Sequence, residues 1–118
     1  MKAEDLRIGN WVHQGHGFAM QVVAIFQDDV YLNFEGNEGD VWESKIADLH
    51  GFELNTEWLE KFGFDKRKYS GMWWHKGNIY YCGDKNLWYC GMTVLPPDST
   101  KYVHQVQNLL FSLTGIKI

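Results

Sequence analysis

The sequence predicts a single α+β domain in which short antiparallel strands are followed by a helix, more strands and a last helix. Three observations predict this class: short apolar runs bounded by turn residues, the start and stop signals of one short helix, and a helically spaced apolar stripe near the end. The 118 residues are 45% hydrophobic and 22% charged, which is typical of one globular domain with its own core. We expect two subdomains, 1–50 and 51–118, to share that core.

The first half of the chain alternates short apolar runs with turn residues. Four or five strands at this close spacing predict a small curled antiparallel sheet, in the form of an SH3-like, partly open barrel. Within one run, alternation places Val30, Leu32 and Phe34 on a single face, where we expect them to enter the core. The predicted strands cover residues 11–12, 18–26, 30–34 and 41–46.

The start and stop signals of one short helix come next. Asn55 is a good N-cap, because its side-chain oxygen accepts hydrogen bonds from amides of the first turn. Leu54 and Leu59 fall at the positions of a hydrophobic staple, and Gly63 suits the left-handed conformation that ends many helices. The sequence therefore predicts a helix over 56–62.

Three aromatic-rich runs follow, with turn residues between them. They predict a second antiparallel segment, a three-stranded aromatic ribbon, which Pro96-Pro97 ends because proline cannot donate to a ladder. We expect one face of the ribbon to cover the core and the other to expose its rings. The alternative, that both faces are buried between neighbouring elements, stays open. The three runs cover residues 69–75, 78–82 and 87–94.

The pairing of the second and third runs assigns individual rings to the two faces. With Cys82 opposite Leu87, alternation places Tyr81 on the same face as Trp88, and the tyrosines at 80 and 89 share the other face. Two tryptophans of the first run are expected to expose part of their rings. The candidate contact residues of the ribbon are Trp73, Trp74, Tyr80, Tyr81, Trp88 and Tyr89.

The last predicted element is an amphipathic helix that begins at Asp98 or Ser99, runs to about Thr114 and ends at Gly115. Its apolar stripe must lie on a sheet. The residues of that stripe are Tyr102, Val103, Val106, Leu109, Leu110 and Leu113.

Another side of this helix is a candidate docking surface. His104, Asn108 and Phe111 follow an i, i+4, i+7 spacing away from the apolar stripe, and we expect His104 to be solvated. Phe111 is apolar on an otherwise polar face. It either packs on Ile116 after the helix end or is exposed as a contact with a partner or a second copy.

Metal and cofactor chemistry has no motif in the chain. His13, His16 and His75 lack partners at the spacing of structural zinc sites, and alternation places Cys82 and Cys90 on opposite faces of the ribbon. We therefore expect two free thiols, no metal and no cofactor. No glycine-rich turn matches a phosphate-binding fingerprint.

A catalytic role has little support, since no carboxylate stands in a motif with a base, and no catalytic residue is predicted. An enzyme would have to bring His13 or His16 together with a carboxylate in a concave pocket.

The net charge of −4 argues against nucleic acid as the main ligand, because a phosphate backbone needs a basic surface. Binding of single-stranded nucleic acid nevertheless stays open as the second hypothesis, through bases stacked on exposed rings. The cations that would serve it are Arg7, Lys66, Arg67, Lys68 and Lys76.

The N-terminal residues contain no apolar segment of a signal peptide, and no apolar run approaches membrane-spanning length. Together with a count of only two cysteines, this predicts a protein of the reducing cytoplasm that does not bind a membrane.

Stretches at both ends of the chain carry a resemblance. The opening Leu6-Arg7-Ile8-Gly9-Asn10-Trp11-Val12 and the closing Lys101-Tyr102-Val103-His104-Gln105-Val106-Gln107-Asn108-Leu109, with Leu113-Thr114-Gly115, resemble a family of small bacterial and phage or prophage proteins. Thr56-Glu57-Trp58-Leu59 with Phe62-Gly63-Phe64 is similar to the same pattern. The resemblance implies an accessory protein of the bacterial cytoplasm. It brings no activity, cofactor or catalytic residue, because no function is established for that family.

The leading hypothesis is a non-enzymatic protein-interaction protein. Aromatic residues make up 16% of the chain, more than we expect a small core to hide. We expect the surplus on the aromatic ribbon or the last helix to bind another protein or a second copy of the chain.

Overall fold

The part of the chain that the structure describes forms two antiparallel sheets and two α-helices, so the predicted α+β class is confirmed. The computed structural model describes residues 1–66, 73–83, 85–115 and 117–118. Within these ranges, no helix is both long enough and apolar enough to span a bilayer.

The first sheet is built from the N-terminal strands in the order β4-β3-β2-β1-β5. Val30 and Leu32 are fully buried, as their alternation predicts. The prediction for Phe34 is wrong: β3 ends at Asn33, so alternation stops there and the Phe34 ring is 36% exposed. The strands are β1 (Trp11–His13), β2 (Met20–Ile25), β3 (Asp29–Asn33), β4 (Trp42–Lys45) and β5 (His50–Gly51).

The fourth strand is shorter than predicted, because Ile46 begins a 3-10 turn instead of continuing the strand. This turn, Ile46–Asp48, redirects the chain toward the other edge of the sheet. There β5 pairs antiparallel with β1, and His13 lies opposite His50.

Helix α1 (Thr56–Lys61) forms where its capping signals predict it. The Asn55 side chain accepts a hydrogen bond from the Trp58 amide at 3.1 Å. Gly63 takes the left-handed conformation, with φ of 84°, and the amide after it donates to the Leu59 carbonyl oxygen at 3.0 Å.

The second sheet has the order β10-β9-β8-β7-β6. The third predicted run of the aromatic ribbon is not one strand, because Gly91, with φ of 62°, turns the chain so that Thr93 pairs back with Cys90. Residues 69–72 of the first predicted run lie outside the described residues. The strands are β6 (Asp65–Lys66), β7 (Trp73–Lys76), β8 (Ile79–Cys82), β9 (Leu87–Cys90) and β10 (Thr93–Val94).

Helix α2 (Val103–Thr114) begins later than predicted, after a separate 3-10 turn at Pro97–Ser99. Tyr102 was expected inside the helix, but its extended backbone forms a bridge with Glu53 and places it at the N-cap. The C-terminal end of α2 lies where it was predicted, since Gly115 ends the helix with φ of 74°.

The apolar stripe of α2 is also narrower than predicted. Val103, Val106 and Leu110 are fully buried, whereas Leu113 is 50% exposed. The predicted contact of Phe111 with residue 116 falls outside the described residues.

Buried apolar side chains form two clusters. The smaller one lies under the first sheet around Val12, Val22 and Leu32. The larger one joins both helices to the second sheet and includes Trp11 of β1, so it contacts the first sheet as well. Its buried members are Trp11, Trp58, Leu59, Phe62, Phe64, Trp74, Ile79, Trp88, Leu95, Val103, Val106 and Leu110.

Candidate functional site

The aromatic ribbon consists of β7, β8 and β9 and pairs as predicted. Cys82 lies opposite Leu87, and Tyr81 lies opposite Trp88. The two cysteines therefore fall on opposite faces of the ribbon, and both are free thiols.

The inner face of the ribbon belongs to the larger core. Trp74 and Trp88 are 8% and 1% exposed, and the rings of Tyr81 and Trp88 lie 4.8 Å apart. The Phe64 ring meets Trp88 edge-on at 5.5 Å. The predicted exposure of Trp74 is wrong, because its pairing opposite Tyr81 turns the ring toward the core.

The outer face of the ribbon carries Trp73, Tyr80 and Tyr89, all half-buried. Trp73 packs on Tyr89 with ring centroids 5.5 Å apart, and His75 stacks on Tyr80 at 6.2 Å. These rings cover one another, so the ribbon offers less aromatic surface than predicted.

The three candidate residues of the last helix do not form an exposed face. His104 is 5% exposed, so the prediction of a solvated histidine is wrong. The Asn108 amide bridges Asn10 and the Asp5 carbonyl oxygen, both at 2.8 Å. Phe111 is half-buried, with the Arg7 guanidinium 3.4 Å from its ring centroid.

Gln107, next to Asn108, ties α2 to the strand that opens the first sheet. Its Oε1 atom accepts from the Trp11 amide at 3.0 Å, and its Nε2 atom donates to the Gly9 carbonyl oxygen at 3.1 Å. The two terminal stretches that carry the family resemblance therefore lie side by side. These polar side chains satisfy buried backbone groups instead of facing a partner.

A cleft of about 600 Å³ runs along one side of α2. The N-terminal residues and β5 form its other walls. Carboxylates, hydroxyls and imidazoles line it together with a few apolar groups. We call it the His104 cleft, and its polar lining includes Glu4, Asp5, His50, Tyr102, His104, Asn108 and Ser112.

His104 is held in this cleft by close packing. An added Cβ at Gly51 would come within 2.8 Å of the His104 ring and 3.0 Å of the Tyr102 ring. Tyr102 and His104 stack at 5.9 Å, and the His104 Nδ1 atom is enclosed without a hydrogen-bond partner in the described structure. Only a glycine at 51 lets the strand approach the helix this closely.

The surroundings of His104 favour its neutral form. Burial lowers the pKa of His104 below its ordinary 6.5. The Asp5 carboxylate opposes that shift in pKa, and the N-terminal amino group adds to it.

The histidines considered for catalysis are engaged differently. The His13 Nδ1 atom accepts hydrogen bonds from the Gly15 and Gly17 amides at 3.1 and 3.3 Å, and its ring stacks on His50 at 5.3 Å. Burial is the largest cause that lowers the pKa of His13, followed by the charges of His50 and His16. His13 therefore orders the loop after β1, and His16 lies exposed in that loop.

No site for a metal ion is found among the described residues, since no three His, Cys, Asp or Glu side chains converge. The cations proposed for nucleic acid are also dispersed. Arg7 covers Phe111, and the Lys76 ammonium donates to the Phe62 carbonyl oxygen at 2.6 Å. Lys66 lies on β6, and residues 67 and 68 lie outside the described residues.

One exposed aromatic site was not predicted. All six tryptophans lie in the described part of the chain, and Trp42 is the one that is exposed, at 44%. Its ring meets Phe34 edge-on at 5.0 Å, and Val41 beside it is also 44% exposed. We call Phe34, Val41 and Trp42 the β3–β4 patch.

The chain segment that contains this patch carries only negative charges. No Lys or Arg occurs in 34–44. From outside this segment, the Lys61 Nζ atom of α1 pairs with the Glu35 Oε2 atom at 2.6 Å. The four acids of the segment, all exposed, are Glu35, Glu38, Asp40 and Glu43.

Asparagine side chains hold the same loop in shape. The Asn37 amide donates to the Asn33 side chain at 2.6 Å, and Asn33 donates back to the Asn37 carbonyl oxygen at 3.0 Å. The Asn37 oxygen also accepts from the Gly39 amide at 3.4 Å. The loop is therefore held in shape by its own side chains.

A sequence signal for the patch does exist. Phe34 and Trp42 flank a run of glycines, asparagine and acids, which is typical of an exposed loop. Alternation alone assigned Phe34 to the core, because it gives no sign that β3 ends one residue earlier.

Comparison with known proteins gives no match: no protein-family model, no curated protein and no solved structure is similar to this chain. The function is therefore inferred from the residues of the candidate surfaces.

Proposed function

We propose that this protein is a non-enzymatic interaction protein that binds a protein partner through the β3–β4 patch. The observation that carries the proposal is the exposed Trp42. Burying a Trp ring at the centre of an interface contributes more binding energy than most contacts, and exposed apolar patches with polar rims mark interaction sites.

The charge around the patch indicates the chemistry of the partner. The segment 34–44 carries four carboxylates and no Lys or Arg, and Lys61 pairs with one of these carboxylates, Glu35. This field attracts Lys and Arg and repels phosphate. The proposed partner is therefore a protein segment with an apolar anchor flanked by basic residues, and the patch favours such a segment over single-stranded nucleic acid.

The rigidity of the loop supports the same proposal. Asn33 and Asn37 already hold the backbone between the two rings. A loop that is ordered before binding loses less conformational entropy when a partner docks, so more of the contact energy becomes affinity.

We infer that the first sheet is an SH3-like, partly open barrel. Two features support this: the strand order β4-β3-β2-β1-β5, and the 3-10 turn Ile46–Asp48 that leads β5 back to β1. Small barrels of this kind serve unrelated binding functions through their loops, so the architecture suits the proposed role by analogy only.

The resemblance of the two terminal stretches to small bacterial and phage or prophage proteins is part of this proposal. It favours a cytoplasmic accessory protein that acts by binding. Gln107 of the closing stretch forms hydrogen bonds with the 9–11 segment of the opening stretch. This contact gives the two stretches a structural role and indicates no ligand.

Panning of a random peptide display library against the folded protein tests the proposal. We expect enriched peptides to carry an apolar or aromatic anchor flanked by Lys or Arg. We expect Trp42→Ser to weaken their binding at least about tenfold, because a hot-spot Trp contributes on the order of 2 kcal/mol or more.

Phe26→Ser is the matched control, since Phe26 is a 50% exposed ring of the same sheet that also meets a neighbour, Tyr31, edge-on at 5.1 Å. It should bind the selected peptides like the wild type. Enriched peptides that are acidic, or that bind Trp42→Ser as well as the wild type, would refute the proposal, as would a failure to enrich any peptide.

A further inference from the structure

Strand β4 lies at one edge of the first sheet and pairs with β3 on one side only. A sheet edge presents backbone N–H and C=O groups that can pair with a further extended chain. β4 has four residues, whereas the other edge strands of the two described sheets, β5, β6 and β10, have two residues each. It is therefore the longest edge strand in the described part of the chain.

The register of β4 on β3 decides which of its backbone groups point to the open edge. The Ile46 amide donates to the Asp28 carbonyl oxygen at 2.9 Å, and the register continues without a shift along β4. Hydrogen-bonded and non-hydrogen-bonded pairs alternate in an antiparallel ladder, so Glu43 and Lys45 turn their N–H and C=O groups outward. The Lys45 carbonyl oxygen accepts from the Ser44 hydroxyl at 3.2 Å, which leaves the Lys45 N–H and both Glu43 groups for an added strand.

The exposed ring of β4 lies on the core face of this edge. Trp42 is opposite Leu32, which is fully buried in the smaller core cluster, yet Trp42 itself is 44% exposed. With an added antiparallel strand, Trp42 falls at a non-hydrogen-bonded pair, where facing side chains approach each other most closely. An apolar side chain at that position would cover the Trp42 ring and extend the cluster across the edge.

The opposite face of β4 carries the charges. Lys45 pairs with Asp29 of β3 at 3.7 Å, whereas Glu43 is exposed and forms no ion pair within the described residues. Side chains alternate along a strand, so the residue next to the apolar anchor points to this face. A Lys or Arg there would pair with Glu43 across the ladder.

We propose that an extended segment of the protein partner adds to the edge of β4 as a further antiparallel strand. An apolar residue of that segment lies opposite Trp42, and the adjacent Lys or Arg lies opposite Glu43. In this mode of recognition, backbone hydrogen bonds supply affinity and alternate side chains supply specificity. The inference rests on the proposed function and specifies how the partner binds at the β3–β4 patch.

Lys45→Pro tests the inference, with the peptides selected by panning as the probe. The substitution removes an outward N–H that β3 does not use, and the φ of Lys45, −74°, suits proline, so we expect the sheet to stay intact. Binding should weaken at least about tenfold, because a carbonyl oxygen of the peptide loses its donor in the interface. Lys45→Gln, the matched control, removes the same charge but keeps the N–H, and it should bind within about twofold of the wild type.

Amide hydrogen exchange of the wild-type protein, followed by NMR, tests the same inference without a variant. Binding of a selected peptide should slow the exchange of the Glu43 and Lys45 amides at least about tenfold, because they become hydrogen-bonded. The amides of Trp42 and Ser44, which already bond to β3, should change less.

Two results would overturn strand addition and leave the β3–β4 patch as the binding surface. One is a peptide that depends on Trp42 but leaves the exchange of the Glu43 and Lys45 amides unchanged. The other is wild-type affinity of that peptide for a folded Lys45→Pro variant. If no selected peptide depends on Trp42, the proposed function and the strand addition both fail.

Discussion

Gly51 and His104 pack closely because glycine has no side chain at position 51. The His104 and Tyr102 rings together fill the space that a Cβ atom at position 51 would occupy. Side chains in such a packed position have little room to move. The contact therefore fixes both the burial of His104 and the shape of the cleft that it lines.

Gly51→Ala is expected to lower the free energy of unfolding by about 1–3 kcal/mol, because overpacking forces rings and backbone apart. The added Cβ would lie 2.8 Å from the His104 ring. Urea unfolding followed by tryptophan fluorescence measures the change.

Gly39→Ala provides the comparison for Gly51→Ala. Its nearest atom would be the Asn37 side-chain oxygen at 3.4 Å, an ordinary contact. We expect a change within about 0.5 kcal/mol there. Equal stability of the two alanine variants would mean that the strand does not press on His104 as described.

At the scale of elements, α2 is joined to β1 by polar side chains as well as by apolar packing. Gln107 is 6% exposed and bonds three backbone groups, the Trp11 amide and the carbonyl oxygens of Gly9 and Ile118. Asn108 continues the connection to Asn10. These hydrogen bonds hold α2 against the 9–11 segment.

Gln107→Ala should destabilise the protein by about 1–3 kcal/mol, since it removes the side-chain acceptor of the Trp11 amide and one of the two donors to the Gly9 carbonyl oxygen. Thermal and urea unfolding report the loss. Ser112→Ala on the exposed part of the same helix should change stability by less than about 0.5 kcal/mol. A Gln107 variant as stable as the Ser112 variant would contradict this role.

Elements with local signals were predictable from the sequence. Helix α1 follows from Asn55 and Gly63, whose capping contacts lie within a few residues. The pairing of β8 with β9 follows from the length of the turn between them, which puts Cys82 opposite Leu87.

Features that depend on distant contacts were not predictable in this way. The start of α2 shifts because Tyr102 bridges Glu53, and His104 is buried because Gly51 approaches it. Helical periodicity contains no information on either neighbour. The turn at Gly91 was not predicted, because the apolar residues on both sides of it have the pattern of one continuous strand.

At the scale of the whole molecule, the aromatic surplus is mostly absorbed by the fold. Four tryptophans enter the larger core, Trp73 is half-buried on the ribbon, and Trp42 is exposed. The surplus rings were predicted on the ribbon or the last helix, which offer little free aromatic surface, and the exposed tryptophan lies on the first sheet instead. The acidic loop adds the negative charge from which the basic character of the proposed partner is inferred.

The most direct test is photo-crosslinking in cells that naturally produce the protein, with a photoreactive benzoylphenylalanine at Val41 or, as the control, at Val23. Both valines are exposed on the first sheet, at 44% and 39%, and Val41 adjoins Trp42. We predict a protein adduct from position 41 only, mapped to an apolar segment flanked by Lys or Arg. Adducts of equal yield from both positions, an adduct to nucleic acid, or none at position 41 would contradict the assignment of the β3–β4 patch as the binding surface.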